Sequence, residues 1–332
     1  MRRSLPALAE QLREGDELIV VDNGSGDGTV ALVGGLVPDA TLIEAGSNLG
    51  FAAGCNLGAD AAEGELLVLL NPDAVPAPGW REAIERPASD GRDWAAWMAL
   101  VTAEDGRVVN TSGGVVHFSG IAWAGDAGEP AERAAAAGPH EVAFASGACL
   151  AIRRDAWREQ GGFPESFFLY QEDVDLSLRL RLAGGRLGIE PGAVVDHDYE
   201  FDKGAAKWRY LERNRWAMLL RTYPAALLVL IAPVLLLTEV ALLFVSLAGG
   251  WSGQKLRAAG ETLAALPRLL RERREIQSRR AIGAAEFADS LTADLSSPYL
   301  GRVGGSAPLR WALRAYWSLV RALLGAGSSR SV

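Results

Sequence analysis

Residues 17–76 read ELIVVDNGSGDGTVALVGGLVPDATLIEAGSNLGFAAGCNLGADAAEGELLVLLNPDAVP, and this stretch decides the fold. ELIVVDN (17–23) is an apolar, β-branched run of the kind that forms a strand buried on both faces. GSGDGT (24–29) has to turn, and a short helical stretch follows through Val37. TLIEAGSN (41–48) reads as a second strand and GFAAGCNLGADAAEG (50–64) as a helix of small residues. ELLVLLNPDAVP (65–76) reads as a third strand, broken at Asn71-Pro72. Strand alternating with helix predicts an α/β fold with a mostly parallel sheet flanked by helices, and such folds bind ligands beyond the carboxyl ends of their strands. Asp22 and Asp73 each fall at such an end, which makes both candidate site residues.

Working outward, residues 3–14 predict a short helix with Leu5, Leu8 and Leu12 on one side, stopped by Gly15-Asp16. On the other side, residues 94–106 and 108–118 suit a strand pair, and the Ala-rich 129–140 a mobile loop. AFASGACLAIRRDAW (143–157) reads as a strand running into a helix start, and GGFPESFF (161–168) as a structured turn.

Beyond that turn lies an acidic cluster, Glu172, Asp173 and Asp175, approached by Phe163, Phe167, Phe168 and Tyr170. A carboxylate beside apolar rings is desolvated, which raises its proton affinity and suits it to general-base work. The competing reading is a helix start, where acidic residues meet the positive end of the helix dipole. Val174, Leu176, Leu178, Leu180 and Leu182 alternate as in a strand. Acidic residues at the start, Arg179 and Arg181 towards the end and the Gly184-Gly185 stop favour a helix. His197 follows, one of only three histidines in the chain.

The 332 residues carry a net charge of −8, which argues against a nucleic-acid partner. From Gly249 onward there are 13 Lys and Arg against 6 Asp and Glu, a net of +7 that leaves −15 for the first 248 residues. An acidic body with a basic tail suggests a tail that faces something anionic, such as a phospholipid surface. Cys55 and Cys149 have neither metal-type spacing nor a disulfide framework, which fits a reducing compartment, and no apolar signal-peptide core opens the chain.

Residues 207–224 form a basic, aromatic helix candidate. Residues 225–250 follow as an apolar run with one charge, Glu239. About 20 apolar residues suffice to cross a bilayer, yet Glu239, Pro233 and arginines on both flanks argue for a hairpin or re-entrant segment on the cytosolic face. In PLRWALRAYWSLVRALLG (308–325), Leu309, Leu313, Tyr316, Trp317, Val320 and Leu324 make one apolar stripe, with Arg310, Arg314 and Arg321 off it. That pattern suits an interfacial helix, or equally a helix packed on the catalytic domain. Domain organisation is therefore expected as a catalytic domain over 1–205 and a helical, membrane-associated region over 206–332.

The glycines Gly24, Gly26 and Gly28 depart from the dinucleotide-binding spacing, and Asp22 would repel a pyrophosphate at a helix start. A carboxylate at a strand end is better suited to accept hydrogen bonds from a base or a ribose hydroxyl. Asp73, on the turn after Asn71-Pro72, suits a divalent ion such as Mg²⁺ or Mn²⁺, which would bridge it to a diphosphate.

VVDNGSGDGT (20–29), SNLGFAAGCNLGA (47–59), LLNPDA (69–74), SGACLAIRRDAW (146–157), GGFPESFFLYQEDVDLSLRLRLAGG (161–185) and His197 stand in the order seen in family 2 glycosyltransferases. The chain resembles the bacterial rhamnosyltransferase-type branch, over roughly residues 3–224. The resemblance implies a GT-A fold and inverting transfer of a sugar, rhamnose in that branch, from a dTDP- or UDP-sugar. The acceptor would be a glycan or a polyprenyl-linked molecule, at the cytoplasmic face of the cell membrane. It places the nucleotide at Asp22 and Asn23, with Asn48 and Gly50 forming the pocket and Asn71 beside it. Asp73 matches the metal-binding position, with His197 near the metal or diphosphate. Asp173 matches the general base, supported by Glu172. Relatives begin with a strand that walls the nucleotide pocket. Here the chain starts at what resembles the following helix, so either its start is set too late or the protein lacks that strand. A catalytically impaired, membrane-bound partner or scaffold is the rival reading.

Overall fold

The structure, a computed structural model, describes residues 1–198, 204–295 and 306–328. It divides into two compact units. The first comprises residues 1–114, 124–180 and 185–198, and the second residues 115–123, 181–184 and the described residues from 204 onward.

The first unit is α/β. Its sequence-predicted strands and helices form as β1 (Ile19–Asp22), α2 (Thr29–Leu36), β2 (Thr41–Glu44), α3 (Phe51–Ala61) and β3 (Leu66–Leu70), after a short α1 (Ser4–Ala9). The helix expected over 3–14 ends early because the chain turns after Ala9. The turn lets Asp16 take a two-pronged ion pair from Arg81, at 2.7 and 2.8 Å. Next come β4 (Val75–Pro76), α4 (Trp80–Ser89), β5 (Trp94–Ala103) and β6 (Val108–Thr111), the last two paired as expected. The Ala-rich stretch is not simply a loop: α5 (Ala131–Ala136) forms there, as alanine's helix propensity favours, and β9 (His140–Glu141) follows. β10 (Cys149–Arg153), α6 (Arg154–Gln160), α7 (Glu172–Leu182) and β11 (Arg186–Asp196) complete the unit.

The main sheet runs β3-β10-β5-β11-β4, with β6 beside β5 and β9 beside β11. It is mixed, where the sequence pattern predicted mostly parallel strands. β5 and β11 are parallel, while β10 runs antiparallel to both β3 and β5. The long excursion between β5 and β10 returns the chain in the opposite direction, whereas the short βα connections that set the expectation occur only earlier. β1 and β2 form a separate parallel pair. The carbonyls of Leu18 and Asp22 bond towards β2. By the same alternation the backbone groups of Ile19 and Val21 face the other way, and no described strand pairs with them.

Trp97, Met98, Leu150, Ile152, Leu187 and Ile189 fill the sheet's core, closed by Trp80 and Ile84 of α4 and by Leu176 and Leu180 of α7. The conflict over residues 173–183 resolves as a helix buried almost all round: Val174, Leu176, Leu178, Leu180 and Leu182 are all at most 3% exposed. Leucines at every second position need not share one face when every face is covered.

The second unit is helical, apart from most of the short hairpin β7 (Gly114–Val116) and β8 (Ala122–Ala124). It contains α8 (Ala206–Thr222), α9 (Ala225–Ala248), α10 (Ser252–Ser278), α11 (Ala284–Asp289) and α12 (Ala307–Ser328). α9 is long and apolar enough to cross a membrane, and only 11% of its most apolar stretch is buried. α12 packs within its own unit, on Phe118 and α9, and not on the α/β unit. Trp317 stacks on Phe118 at 4.8 Å, Tyr316 Oη donates to the Leu230 carbonyl, and Trp317, Val320 and Leu324 are buried. Its predicted stripe therefore packs on the protein, because Phe118 and α9 offer it a closer apolar surface than lipid.

Candidate active site

The sequence-predicted site residues all lie in the first unit, and backbone hydrogen bonds bring their segments together. Asp22 ends β1, and its Oδ1 accepts from the Ser25 hydroxyl and from the Ser25 N–H. Asn23 reaches across to the loop before α3. Its Nδ2 donates to the Gly50 carbonyl at 2.9 Å, and its Oδ1 accepts from the Leu49 N–H at 2.8 Å. Asn48 completes the clip by accepting from the Gly50 N–H at 2.9 Å.

Two glycines make that approach possible. Gly24 has φ +73°, and a Cβ there would lie 2.6 Å from the Ser47 backbone. Gly50 has φ +86°, and its Cβ would lie 2.5 Å from both the ring and the carbonyl of Phe168. Gly50→Ala therefore carries both a backbone penalty and a clash. We expect it to lower the unfolding midpoint and to weaken nucleotide binding at least tenfold. Calorimetric titration against wild type checks this, and unchanged affinity would show that the Asn23–Asn48–Gly50 clip does not shape the pocket.

The loop before β10 joins the remaining pieces. The Asn71 N–H donates to the Ala148 carbonyl at 3.0 Å, and the neighbouring Gly147 N–H donates to Asp173 Oδ2 at 3.0 Å. Gly147 is small for a reason: a Cβ there would lie 3.2 Å from the Phe51 ring. The motif SGACLAIRRDAW carries no local sign that the Gly147 N–H holds the Asp173 carboxylate, because that contact joins residues 26 positions apart.

Asp173 stands at the amino end of α7, where the Gly147 and Val174 N–H groups hold its two oxygens. Burial pushes its proton affinity above the usual aspartate range, and the two backbone donors oppose that rise only in part. Glu172, 5% exposed, is pushed well above the glutamate range, by burial first and then by the charge of Asp173. Its Oε2 has no hydrogen-bond partner among the described residues. The pair therefore binds a proton more readily than two separate exposed carboxylates would.

A folded-state affinity raised above the unfolded value means that stability falls as pH rises through the interval between them. We expect Glu172→Gln, which mimics the protonated form, to raise the unfolding midpoint relative to wild type more at pH 8 than at pH 5. Thermal unfolding at the two values tests this. An equal effect at both would mean that Glu172 is ionised in the folded protein.

His197 follows β11, whose antiparallel pairing with β4 sets Asp196 opposite Val75. The pairing carries His197 Nε2 to 3.1 Å from Asp73 Oδ1. The imidazole is buried, whereas the Asp73 side chain is 65% exposed. Asn71 Oδ1 nearby in the chain is buried without a partner among the described residues. No group of three or more His, Cys, Asp and Glu able to hold a metal occurs among the described residues. An exposed carboxylate with one imidazole fits an ion that takes its other ligands from phosphate oxygens and water, as Mg²⁺ does.

Strands ending at carboxylates, two glycines that let neighbouring loops approach closely and a desolvated Asp at a helix start are the features expected of a nucleotide-sugar transferase on a GT-A-type α/β unit. Comparison with known proteins agrees. The glycosyl transferase family 2 model matches residues 1–161, and the glycosyl transferase family group 2 model matches residues 132–258. An N-acetylglucosaminyl-diphospho-decaprenol L-rhamnosyltransferase of Mycobacterium tuberculosis is 31% identical over 218 residues, 59% of this chain and 71% of the relative. The pre-mycofactocin glycosyltransferase of M. tuberculosis is 32% identical over 201 residues, covering 59% of this chain and 40% of that one. Among solved structures, GalNAc-T7 with UDP, GalNAc and Mn²⁺ matches with a TM-score of 0.52 at 16% identity, over 66% of this chain and 44% of that one. S. aureus TarS matches with a TM-score of 0.52 at 15% identity, over 97% and 52%. The chain belongs to glycosyl transferase family 2, in its rhamnosyltransferase-like branch, and it is a glycosyltransferase with a GT-A fold.

Proposed function

We propose that the protein is an inverting glycosyltransferase of cell-envelope polysaccharide synthesis. It moves a sugar, rhamnose by its likeness to the mycobacterial relative, from a dTDP- or UDP-sugar to a glycan or polyprenyl-linked acceptor. The apolar α9 and the relative's decaprenol-linked acceptor favour work at a membrane; its cytoplasmic face is the side the family resemblance implies. The observation that carries the reading is the Gly147–Ala148 loop, which bonds Asp173 on one side and Asn71, two residues before Asp73, on the other.

In this reading Asp22 and Asn23 bind the nucleoside, with Asn48 and Gly50 shaping the pocket. Asp73 and His197, with Asn71 beside them, would hold Mg²⁺ or Mn²⁺, which when bound neutralises the diphosphate's charge. Asp173 takes the proton from the acceptor hydroxyl as its oxygen attacks the anomeric carbon from the side opposite the diphosphate. Glu172 stands beside Asp173 as its support, its own proton affinity raised by burial.

The test is calorimetric titration of the whole chain with dTDP, UDP and GDP, with and without Mg²⁺ or Mn²⁺, alongside Asp73→Ala. We expect metal-dependent binding of one nucleotide, weakened at least tenfold in the variant. A scaffold role predicts no binding and no hydrolysis of the nucleotide-sugar.

A further inference from the structure

The apolar helix α9 is held to the charged helix α8 at both of its ends. It leaves α8 through the turn at Tyr223 and Pro224. At its far end Trp251 stacks on Trp208, near the start of α8, with ring centroids 4.8 Å apart and planes 13° from parallel. Between these points Glu239, the one charge in α9, pairs with Arg215 of α8 and lies 2.9 Å from Lys255 of α10. Lys255 also reaches Glu212 of α8 at 2.5 Å. α10 runs back along α8, and Arg273 donates to the Leu220 and Tyr223 carbonyls at 2.7 Å each.

A bilayer crossing by α9 would therefore take α8 with it. α8 carries Lys207, Arg209, Glu212, Arg213, Arg215 and Arg221, and ionised side chains in hydrocarbon are strongly disfavoured. The side of α9 opposite the buried Leu227, Ile231 and Leu235 is apolar and open. Val229, Leu236, Leu237, Val240, Phe244 and Leu247 project from it, between 46% and 74% exposed. α10 adds exposed Leu256, Leu263 and Leu270 at seven-residue spacing, with exposed Arg271 and Arg274 continuing the same side. Leucines giving way to arginines on one helix face match the boundary between acyl chains and anionic phosphates.

We infer that α9 does not cross the membrane but lies in one leaflet as an in-plane anchor. Its open face enters the acyl chains, and the arginines of α10 meet the phosphates of anionic phospholipid. The inference rests on the membrane association proposed above and specifies its geometry.

The test uses the full chain in inside-out vesicles from expressing cells. Cys55 and Cys149 are replaced by alanine, and one new cysteine is placed at Ala226→Cys or Ala248→Cys, exposed positions at opposite ends of α9. A membrane-impermeant maleimide is added before and after permeabilisation. We expect both positions to label to the same extent before permeabilisation. We also expect the purified protein to float with vesicles containing phosphatidylglycerol, and to lose at least tenfold in binding with pure phosphatidylcholine or with Leu236→Glu and Phe244→Glu together. Labelling at one end only would mean that α9 spans, and would overturn the inference while leaving membrane association intact. A chain found only in the soluble fraction, and floating with neither vesicle, would overturn both.

Discussion

Asp173→Asn is expected to lower the turnover of sugar transfer by a factor of about 10² or more, the usual contribution of a positioned general base, while leaving donor affinity within about twofold of wild type. The two effects separate because the proposed mechanism has Asp173 act on the acceptor's proton and assigns the nucleotide to the loop that Asn23, Asn48 and Gly50 clip together. Asparagine keeps the shape and still accepts a hydrogen bond from the Gly147 or Val174 N–H, so the loop should stay in place. Single-turnover transfer and nucleotide titration on the same preparation give both numbers. Wild-type turnover in this variant would remove Asp173 from the chemistry. The raised proton affinity of Asp173 adds a pH signature: wild-type turnover should fall as pH drops through that raised value, because the protonated acid no longer accepts a proton. The residual activity of Asp173→Asn should lack that acid limb.

Arg179→Met should be the most destabilising single change in the first unit. Arg179 is 3% exposed, and its Nε donates to Asp175 Oδ2 at 2.7 Å, a carboxylate with no exposed surface. Its two terminal nitrogens donate to the Gln160 and Gly162 carbonyls at 2.6 and 2.8 Å. Methionine fills much of the volume but leaves a buried carboxylate without its cation, a loss of about 3–5 kcal/mol. That is a large share of the roughly 5–15 kcal/mol by which domains are stable. Urea unfolding followed by tryptophan fluorescence reads it. Adding Asp175→Leu to the same protein should recover part of the loss, since removing both charges removes the stranded one. If Arg179→Met unfolds like wild type, the ion pair contributes nothing net.

The same residue links stability to the site. The carbonyls that Arg179 holds belong to the turn that presents Phe163, bonded through its backbone to Asn56, and Phe168, packed against Gly50. α7 carries Glu172 and Asp173 at its other end. One guanidinium thus ties α7 to the turn that packs against Gly50. Its position, six residues beyond Asp173, did not distinguish it from a surface arginine on an amphipathic helix.

Local pattern determined a good deal. Strand, turn and helix from Ile19 to Leu70 follow from runs of β-branched and apolar residues broken by glycine, because such choices depend on neighbours a few positions away. The candidate site was legible for the same reason: Asp22, Asn48, Asp73 and Asp173 each sit at an element boundary marked by Gly, Pro or a cluster of acids. Where the reading depended on what lies across space, the pattern was silent or ambiguous. Alternating leucines in α7 pointed to a strand until burial on every side made the alternation irrelevant. The stripe on α12 suited lipid or protein equally, and Phe118 with α9 decided it.

By itself, then, the sequence determined the α/β alternation, the family and the residues that stand at strand and helix ends. Only the tertiary structure decided that the main sheet is mixed, that β4 carries Asp73 to His197, and that Gly147 holds Asp173. It also decided that Glu239 is bound between Arg215 and Lys255. The reason is physical: propensity and periodicity act over one or two turns of chain, whereas pairing, burial and charge neutralisation join residues tens of positions apart, and their energies appear only when the chain is folded.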